Sequence, residues 1–154
     1  MPAANATFPE PDRRRAPCAL VVDDDAQVCE LAAEILRRAG YTVFLAVDGT
    51  DGIAQARALR PAIVVTDIFM PQQDGIEVLR QVKKEMPGTR VVALSGGSPL
   101  LPRLDILAVA TKLGADAVLA KPISPAELLA ATTTGDWEPN GKVTPFHWAF
   151  QKSA

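Results

Sequence analysis

Short apolar runs alternate with segments of helical periodicity along most of this chain, and no other feature limits its fold as strongly. Apolar runs occupy residues 19–22, 42–46, 62–66, 90–94 and 117–119. Apolar residues recur three or four apart after each run, from near residue 26 and then at 48–59, 74–84, 102–113 and 125–131. Five strands alternating with five helices predict an α/β fold, with a doubly wound five-stranded parallel sheet and helices on both faces.

The chain divides into three predicted parts. Residues 1–17 are rich in Pro and Ala without periodicity, which predicts a disordered lead-in. Residues 18–131 form the predicted domain. The tail, residues 132–154, carries more aromatic residues than a disordered segment usually does: Trp137, Phe146, Trp148 and Phe150. Packing of this tail on the domain and binding of a partner are both open.

Charge and composition exclude several classes of function. A net charge of −2 gives no basic surface for nucleic acid, so we expect no direct nucleic-acid binding. No stretch reaches the roughly 20 apolar residues that span a bilayer, and no signal peptide is apparent, so we expect no membrane insertion. Cys18 and Cys29 are the only cysteines and are predicted to be reduced and buried. We therefore expect a cytoplasmic protein.

Polar residues follow four of the five predicted strands. Asp23, Asp24 and Asp25 follow the first strand, Asp67 the third, Ser95 the fourth and Lys121 the fifth. In open α/β sheets, ligands bind beyond the carboxyl ends of the strands, so these side chains are expected along one rim.

The residue types on this rim are complementary. Clustered carboxylates stay ionised at low cost only with a cation among them, and oxygen ligands without His or Cys favour Mg²⁺. Ser95 offers a hydrogen bond to a phosphoryl oxygen, and Lys121 offers a positive charge. A carboxylate nucleophile, a metal, a hydroxyl and an ammonium together indicate phosphoryl transfer.

Four motifs in order and spacing resemble the response-regulator receiver domain. They are Val21-Val22-Asp23-Asp24-Asp25, Thr66-Asp67-Ile68-Phe69-Met70-Pro71 with Asp74-Gly75, Ala93-Leu94-Ser95-Gly96, and Gly114-Ala115-Asp116 followed by Lys121-Pro122. The resemblance covers about residues 18–131. It implies a flavodoxin-like sheet with strand order 2-1-3-4-5, in which Asp23 and Asp24 lie beside Asp67.

The resemblance also implies the site roles. Asp67 would accept a phosphoryl group from a phosphohistidine of a sensor histidine kinase or histidine phosphotransfer protein. Asp24 would bind Mg²⁺ with the help of Asp23, Asp67 itself and the backbone carbonyl of Phe69. Ser95 and Lys121 would contact the phosphoryl group, and the Lys121–Pro122 peptide bond would be cis.

The sequence departs from the family pattern in the region expected to change shape and meet partners. Val118 stands three residues before Lys121, where the family often has an aromatic switch residue. The segment after Ser95, beginning with Gly96 and Gly97, is longer than in the chemotaxis type. We expect these four positions, Ser95, Gly96, Gly97 and Val118, to belong to the switch and partner surface, toward an unknown downstream protein.

Each residue also has a simpler explanation. Asp23 to Asp25 resemble a helix cap, Ser95 a turn residue and Lys121 a solvated lysine. Only their joint placement favours a site.

Three functions remain open: a stand-alone response regulator that catalyses only its own phosphorylation and dephosphorylation, a constitutive docking module with a vestigial site, and a phosphatase with an aspartyl-phosphate intermediate. Phe69 argues against the phosphatase, because a general acid is expected two residues after the nucleophile. His147 lies in the tail, so a kinase is not expected.

Overall fold

The structure is a computed structural model that describes residues 16–70, 75–96 and 103–132. Strands and helices alternate strictly in these residues, as the sequence predicts. In chain order they are β1 (Cys18–Val22), α1 (Ala26–Arg38), β2 (Thr42–Ala46), α2 (Gly49–Leu59), β3 (Ile63–Asp67), α3 (Gly75–Glu85), β4 (Arg90–Ser95), α4 (Arg103–Lys112), β5 (Ala117–Ala120) and α5 (Pro125–Thr132).

All five strands are parallel, in the order β2-β1-β3-β4-β5, which confirms the predicted fold. Val22 of β1 lies opposite Thr66 of β3, and Asp67 lies opposite Leu94 of β4. The carboxyl ends of the three central strands therefore meet at one rim of the sheet.

The core has two layers because successive side chains of a strand point to opposite faces. On one face, Leu20, Val22 and Val64 pack with Val78 and Leu79 of α3. On the other face, the buried side chains come mainly from β1, β3, β4, α1 and α5: Ala19, Val21, Val65, Leu94, Leu36 and Leu128. Strands covered on both sides are uniformly apolar, and this explains the unbroken apolar runs in the sequence.

β2 forms an edge of the sheet and is only partly covered. Phe44 is 39% exposed. The carbonyl of Ala46 points toward β1, where it accepts a hydrogen bond from the Asp23 N–H at 3.1 Å. The neighbouring carbonyl of Leu45 therefore points to the open edge, and the side chain of Gln55 from α2 donates to it at 2.9 Å.

Several boundaries differ from the prediction by one residue. β3, β4 and β5 extend beyond the predicted apolar runs to include Asp67, Ser95 and Ala120. The sheet is built by backbone groups, so a polar side chain at a strand end does not stop the pairing. Asp48, predicted as the acidic cap that opens the second helix, is the N-cap of α2 and accepts a hydrogen bond from the Asp51 N–H at 2.7 Å, which confirms that prediction.

Polar contacts hold the opposite rim of the sheet together. The carboxylate of Asp116 accepts a hydrogen bond from the Val91 N–H at 2.8 Å and pairs with Lys83 at 2.6 Å. Lys83 also donates to the carbonyl of Thr89 at 2.8 Å. Asp116 therefore ties β5 to β4 and α3, far from the carboxyl ends of the strands.

The cysteines are free thiols, of which Cys29 is buried and Cys18 is only partly buried, contrary to the prediction for Cys18. Cys18 begins β1, where the sheet is less covered. Among the described residues, no helix is long and apolar enough to cross a membrane. The predictions for residues 1–15, Gly97 and 133–154 lie outside the described residues.

Candidate functional site

Three carboxylates converge where β1 and β3 end. One oxygen each from Asp23, Asp24 and Asp67 lies within 4.8 Å of the others. Asp23 is fully buried, Asp67 is 4% exposed and Asp24 is exposed to solvent. The pairing of β1 with β3 creates this cluster, because it brings two strand ends that are distant in sequence side by side.

Almost every polar atom of Asp23 takes part in a hydrogen bond. Its N–H donates to Ala46, its Oδ1 accepts from the Asp25 N–H at 2.9 Å, and its carbonyl accepts from the Cys29 thiol at 3.2 Å. Asp25 itself caps α1 by accepting from the Gln27 N–H, so the simpler explanation holds for Asp25 but not for Asp23.

The remaining atom, Oδ2 of Asp23, is buried with no well-aligned hydrogen bond from the described part of the chain. It lies 2.8 Å from Nζ of Lys121, so its stabilisation comes from charge attraction without a hydrogen bond of good geometry. Burial raises the pKa of Asp23 above its usual value, and the contacts with Lys121 and the Asp25 N–H offset this only in part. Such a buried oxygen fits a metal cation.

Asp67 ends β3 with each carboxylate oxygen bonded. Oδ1 accepts from the Phe69 N–H at 3.0 Å, and Oδ2 accepts from Nζ of Lys121 at 2.9 Å. The next residue, Ile68, continues toward β4 by donating to the Leu94 carbonyl at 3.0 Å. The backbone therefore fixes the direction of the Asp67 side chain.

Gly75, the first residue of α3, lies directly against the backbone of Asp67. A Cβ atom at Gly75 would stand 1.5 Å from the Asp67 carbonyl oxygen, which no side chain tolerates. Its N–H donates to the Ile68 carbonyl at 2.9 Å. The sequence interpretation used Gly75 only as part of a motif. No local sequence pattern signals this contact, because it depends on how the start of α3 packs against the end of β3.

Lys121 bridges the two buried carboxylates, at 2.8 Å from Asp23 and 2.9 Å from Asp67. Burial lowers its pKa, but the close contacts with Asp23 and Asp67 outweigh that effect and leave the pKa above its usual value. The side chain is only 20% exposed, so it is not a solvated lysine. The Lys121–Pro122 bond is cis, as the resemblance implied.

Of the other predicted positions, Ser95 and Gly96 contact Lys121, and Val118 lies in the core. Ser95 ends β4, is 7% exposed, and its carbonyl accepts from the Lys121 N–H at 2.9 Å. Gly96 lies beside the Lys121 side chain, where an added Cβ would stand 3.6 Å from Cδ. Val118 is buried in the core layer that also contains Ala110 and Ala115, so it does not face the solvent.

The donor set fits Mg²⁺. Three carboxylates and one ammonium leave two uncompensated negative charges, and the donors are hard oxygens. Asp23, Asp24 and Asp67 are the described residues able to hold the ion.

The comparisons agree with this geometry. A family model described as the response regulator receiver domain matches residues 19–133. The probable transcriptional regulatory protein TcrX of Mycobacterium tuberculosis is 34% identical over 110 residues, which cover 71% of this chain and 45% of that protein. The chain thus spans less than half the length of this curated relative.

The solved structures that resemble this chain are also response regulators. A response regulator receiver domain protein from Clostridium thermocellum is 30% identical, with a TM-score of 0.68 and coverage of 75% of this chain and 90% of that one. A response regulator from Burkholderia pseudomallei, described with a phosphorylated aspartic acid and a calcium ion, is 27% identical, with a TM-score of 0.69 and coverage of 77% and 67%.

This chain belongs to the response regulator receiver domain family. Domains of this family are phosphoacceptors of two-component systems, in general phosphorylated by sensor kinases, and they generally bind Mg²⁺ at an acidic cluster such as the one described here.

Proposed function

We propose that Asp67 accepts a phosphoryl group from a phosphohistidine of a sensor kinase or phosphotransfer protein, in a reaction that depends on Mg²⁺. The observation that carries this proposal is the convergence of three carboxylates and the Lys121 ammonium at the carboxyl ends of β1, β3 and β5. A structural ion pair needs only one carboxylate for one lysine, and here the acidic charge is in excess.

In the proposed reaction, a carboxylate oxygen of Asp67 forms a bond to phosphorus while the bond from phosphorus to the donor imidazole breaks. The Phe69 N–H and the backbone around Ile68 hold the carboxylate in position before attack. Lys121 pairs with the negative charge on the transferred group, and Ser95 donates a hydrogen bond to it.

Magnesium would bind to Asp23, Asp24 and Asp67, with the Phe69 carbonyl as a further ligand. When bound, it supplies positive charge against the oxygens of the transferred group. The phosphorylated aspartic acid and calcium ion described for the Burkholderia protein support this assignment by similarity.

We further propose that the output is protein contact that depends on phosphorylation, or onward transfer of the phosphoryl group. Gly96 and Gly97 would belong to the partner surface, whereas Ser95 and Val118 are buried and would act as switch positions beneath it. The net charge of −2 gives no electrostatic case for nucleic-acid binding, so the proposal does not include it, although relatives such as TcrX are named transcriptional regulators. The free thiols support a cytoplasmic location.

The test is intact mass after incubation with acetyl phosphate and Mg²⁺. Wild type is expected to gain one phosphoryl group, and Asp67→Asn none. Asp48→Asn is the control, because it also removes a carboxylate while asparagine caps a helix equally well. An adduct that persists in Asp67→Asn would rule out Asp67 as the acceptor.

The same samples separate the competing functions. A docking module with a vestigial site would show neither an adduct nor Mg²⁺ binding in a calorimetric titration. A phosphatase would turn over small phosphomonoesters, and we expect no such turnover.

A further inference from the structure

Cys29 is an uncharged residue of the hydrophobic core, and it contacts Asp23, one member of the acidic cluster. It lies in the first turns of α1, is 2% exposed, and donates its thiol hydrogen to the carbonyl oxygen of Asp23 at 3.2 Å. Its own N–H is used in the helix, where it donates to the Asp25 carbonyl at 3.1 Å. The thiol is therefore a second, separate link between α1 and the end of β1.

The Asp23 carbonyl needs such a partner. Asp23 is fully buried and precedes the cap of α1, so its carbonyl takes no part in the helix. A buried carbonyl without a donor is costly, and the backbone would turn to find one. Such a turn changes the backbone between Asp23 and Asp25, and so disturbs the hydrogen bond from the Asp25 N–H that holds the Asp23 carboxylate.

The thiol is placed for hydrogen bonding. Cys29 is 2% exposed, so solvent and other reactants do not reach its sulfur, and the thiol donates to the Asp23 carbonyl.

We infer that Cys29 is a positioning residue for the cation site: its thiol fixes the Asp23 backbone so that the buried carboxylate stays directed into the acidic cluster. The inference rests on the proposed function, because it concerns the same site. Groups that orient metal ligands without touching the metal affect affinity measurably. For one weak hydrogen bond to a backbone carbonyl, the expected effect is about two- to five-fold.

The test compares four variants with wild type by calorimetric titration of Mg²⁺. Cys29→Ala and Cys29→Val both remove the donor, and they change the side-chain volume in opposite directions, so an effect common to both does not come from volume. Cys29→Ser restores a donor. Ile35→Val trims a buried residue further along α1 and is the control for lost packing.

We expect Cys29→Ala and Cys29→Val to raise the Kd for Mg²⁺ by about two- to five-fold, with Cys29→Ser close to wild type. Ile35→Val should lower stability in urea and leave the Kd unchanged. Labelling by acetyl phosphate should need more Mg²⁺ in the donor-free variants and reach the wild-type rate at saturation.

Two failures are distinguishable. If wild type binds Mg²⁺ and the donor-free variants bind it equally well, the positioning role is wrong and the proposed function stands. If wild type binds no Mg²⁺, the proposed function itself fails and the role of Cys29 fails with it.

Discussion

Lys121 acts as an internal counter-ion for the acidic cluster. Its Nζ contacts both buried carboxylates, and it therefore competes for the oxygens that we assign to the metal. The same ammonium that stabilises the cluster without metal should repel an incoming cation. After phosphorylation it would find a new partner in the transferred group. The sequence predicted the charge of this residue near the site but not its double contact.

Lys121→Gln should separate metal binding from phosphorylation. Removing the ammonium should lower the Kd for Mg²⁺ by roughly ten-fold or more, since a unit charge and a divalent cation about 4 Å apart repel by about 2 kcal/mol even at the dielectric constant of water. Labelling by acetyl phosphate should fall sharply. Calorimetry and intact mass on one preparation measure both effects. Weaker Mg²⁺ binding in this variant would contradict the counter-ion role.

Asp23 should make the stability of the metal-free protein depend on pH. Its pKa is raised in the folded state by burial, so between the usual carboxyl pKa and the raised value the folded state holds more protons than the unfolded state. The free energy of unfolding therefore falls as pH rises through that window. Asp23→Asn should lack this fall and be more stable at neutral pH, by about 1 kcal/mol.

Urea unfolding in EDTA from acid to neutral pH measures this effect as the difference between wild type and Asp23→Asn. If the difference in free energy of unfolding between the two proteins does not change with pH, burial does not destabilise the ionised form of Asp23.

At the scale of elements, the junction between β3 and α3 determines the geometry at Asp67. The first turn of α3 lies against the backbone of the proposed phosphoacceptor, with no room for a side chain at Gly75. The helix and the site are therefore one packed unit. By contrast, the ion pair between Lys83 and Asp116 joins elements at the opposite rim of the sheet, away from the acidic cluster.

Gly75→Ala should damage both the fold and the site. The added methyl group cannot fit against the Asp67 carbonyl, so α3 must shift, at a cost of about 1–3 kcal/mol or more. Labelling should also slow at saturating Mg²⁺. The matched control is Gly88→Ala, because an added Cβ there meets nothing within 4 Å. Equal stability of the two variants in urea would contradict the packing described here.

The element order and the polar rim could be predicted because both follow from local patterns. Apolar runs mark strands covered on two faces, and the carboxyl ends of parallel strands share a rim. The strand ends at Asp67 and Ser95 were missed by one residue, because backbone pairing continues past a change of side chain. The contacts of Gly75 and Cys29 were missed for another reason: they depend on distances between elements, which no local pattern encodes.

At the scale of the molecule, hydrogen bonds join the last turn of α5 to the sheet. Arg90 at the start of β4 donates to the carbonyl of Ala131, and the Thr132 hydroxyl donates to the Leu129 carbonyl at 2.7 Å. The last turn of α5 is thus tied to the sheet. All the described residues assigned to the site lie within residues 16–132.

A truncated chain of residues 16–132 should keep the fold and the labelling of Asp67, because the described strands and helices and the acidic cluster lie within it. Intact mass and urea unfolding, each compared with the full chain, measure this. A loss of several kcal/mol on truncation would show instead that residues outside 16–132 pack on the domain.

The contact between Gln55 and the Leu45 carbonyl has a consequence for crowded solutions. An uncovered strand edge is a template on which another copy can add a strand, and repeated addition produces fibrils. Here a carboxamide from α2 already occupies one outward carbonyl of β2. Gln55 thus covers part of this edge, and we expect Gln55→Ala to precipitate slowly on storage while its phosphorylation chemistry stays normal.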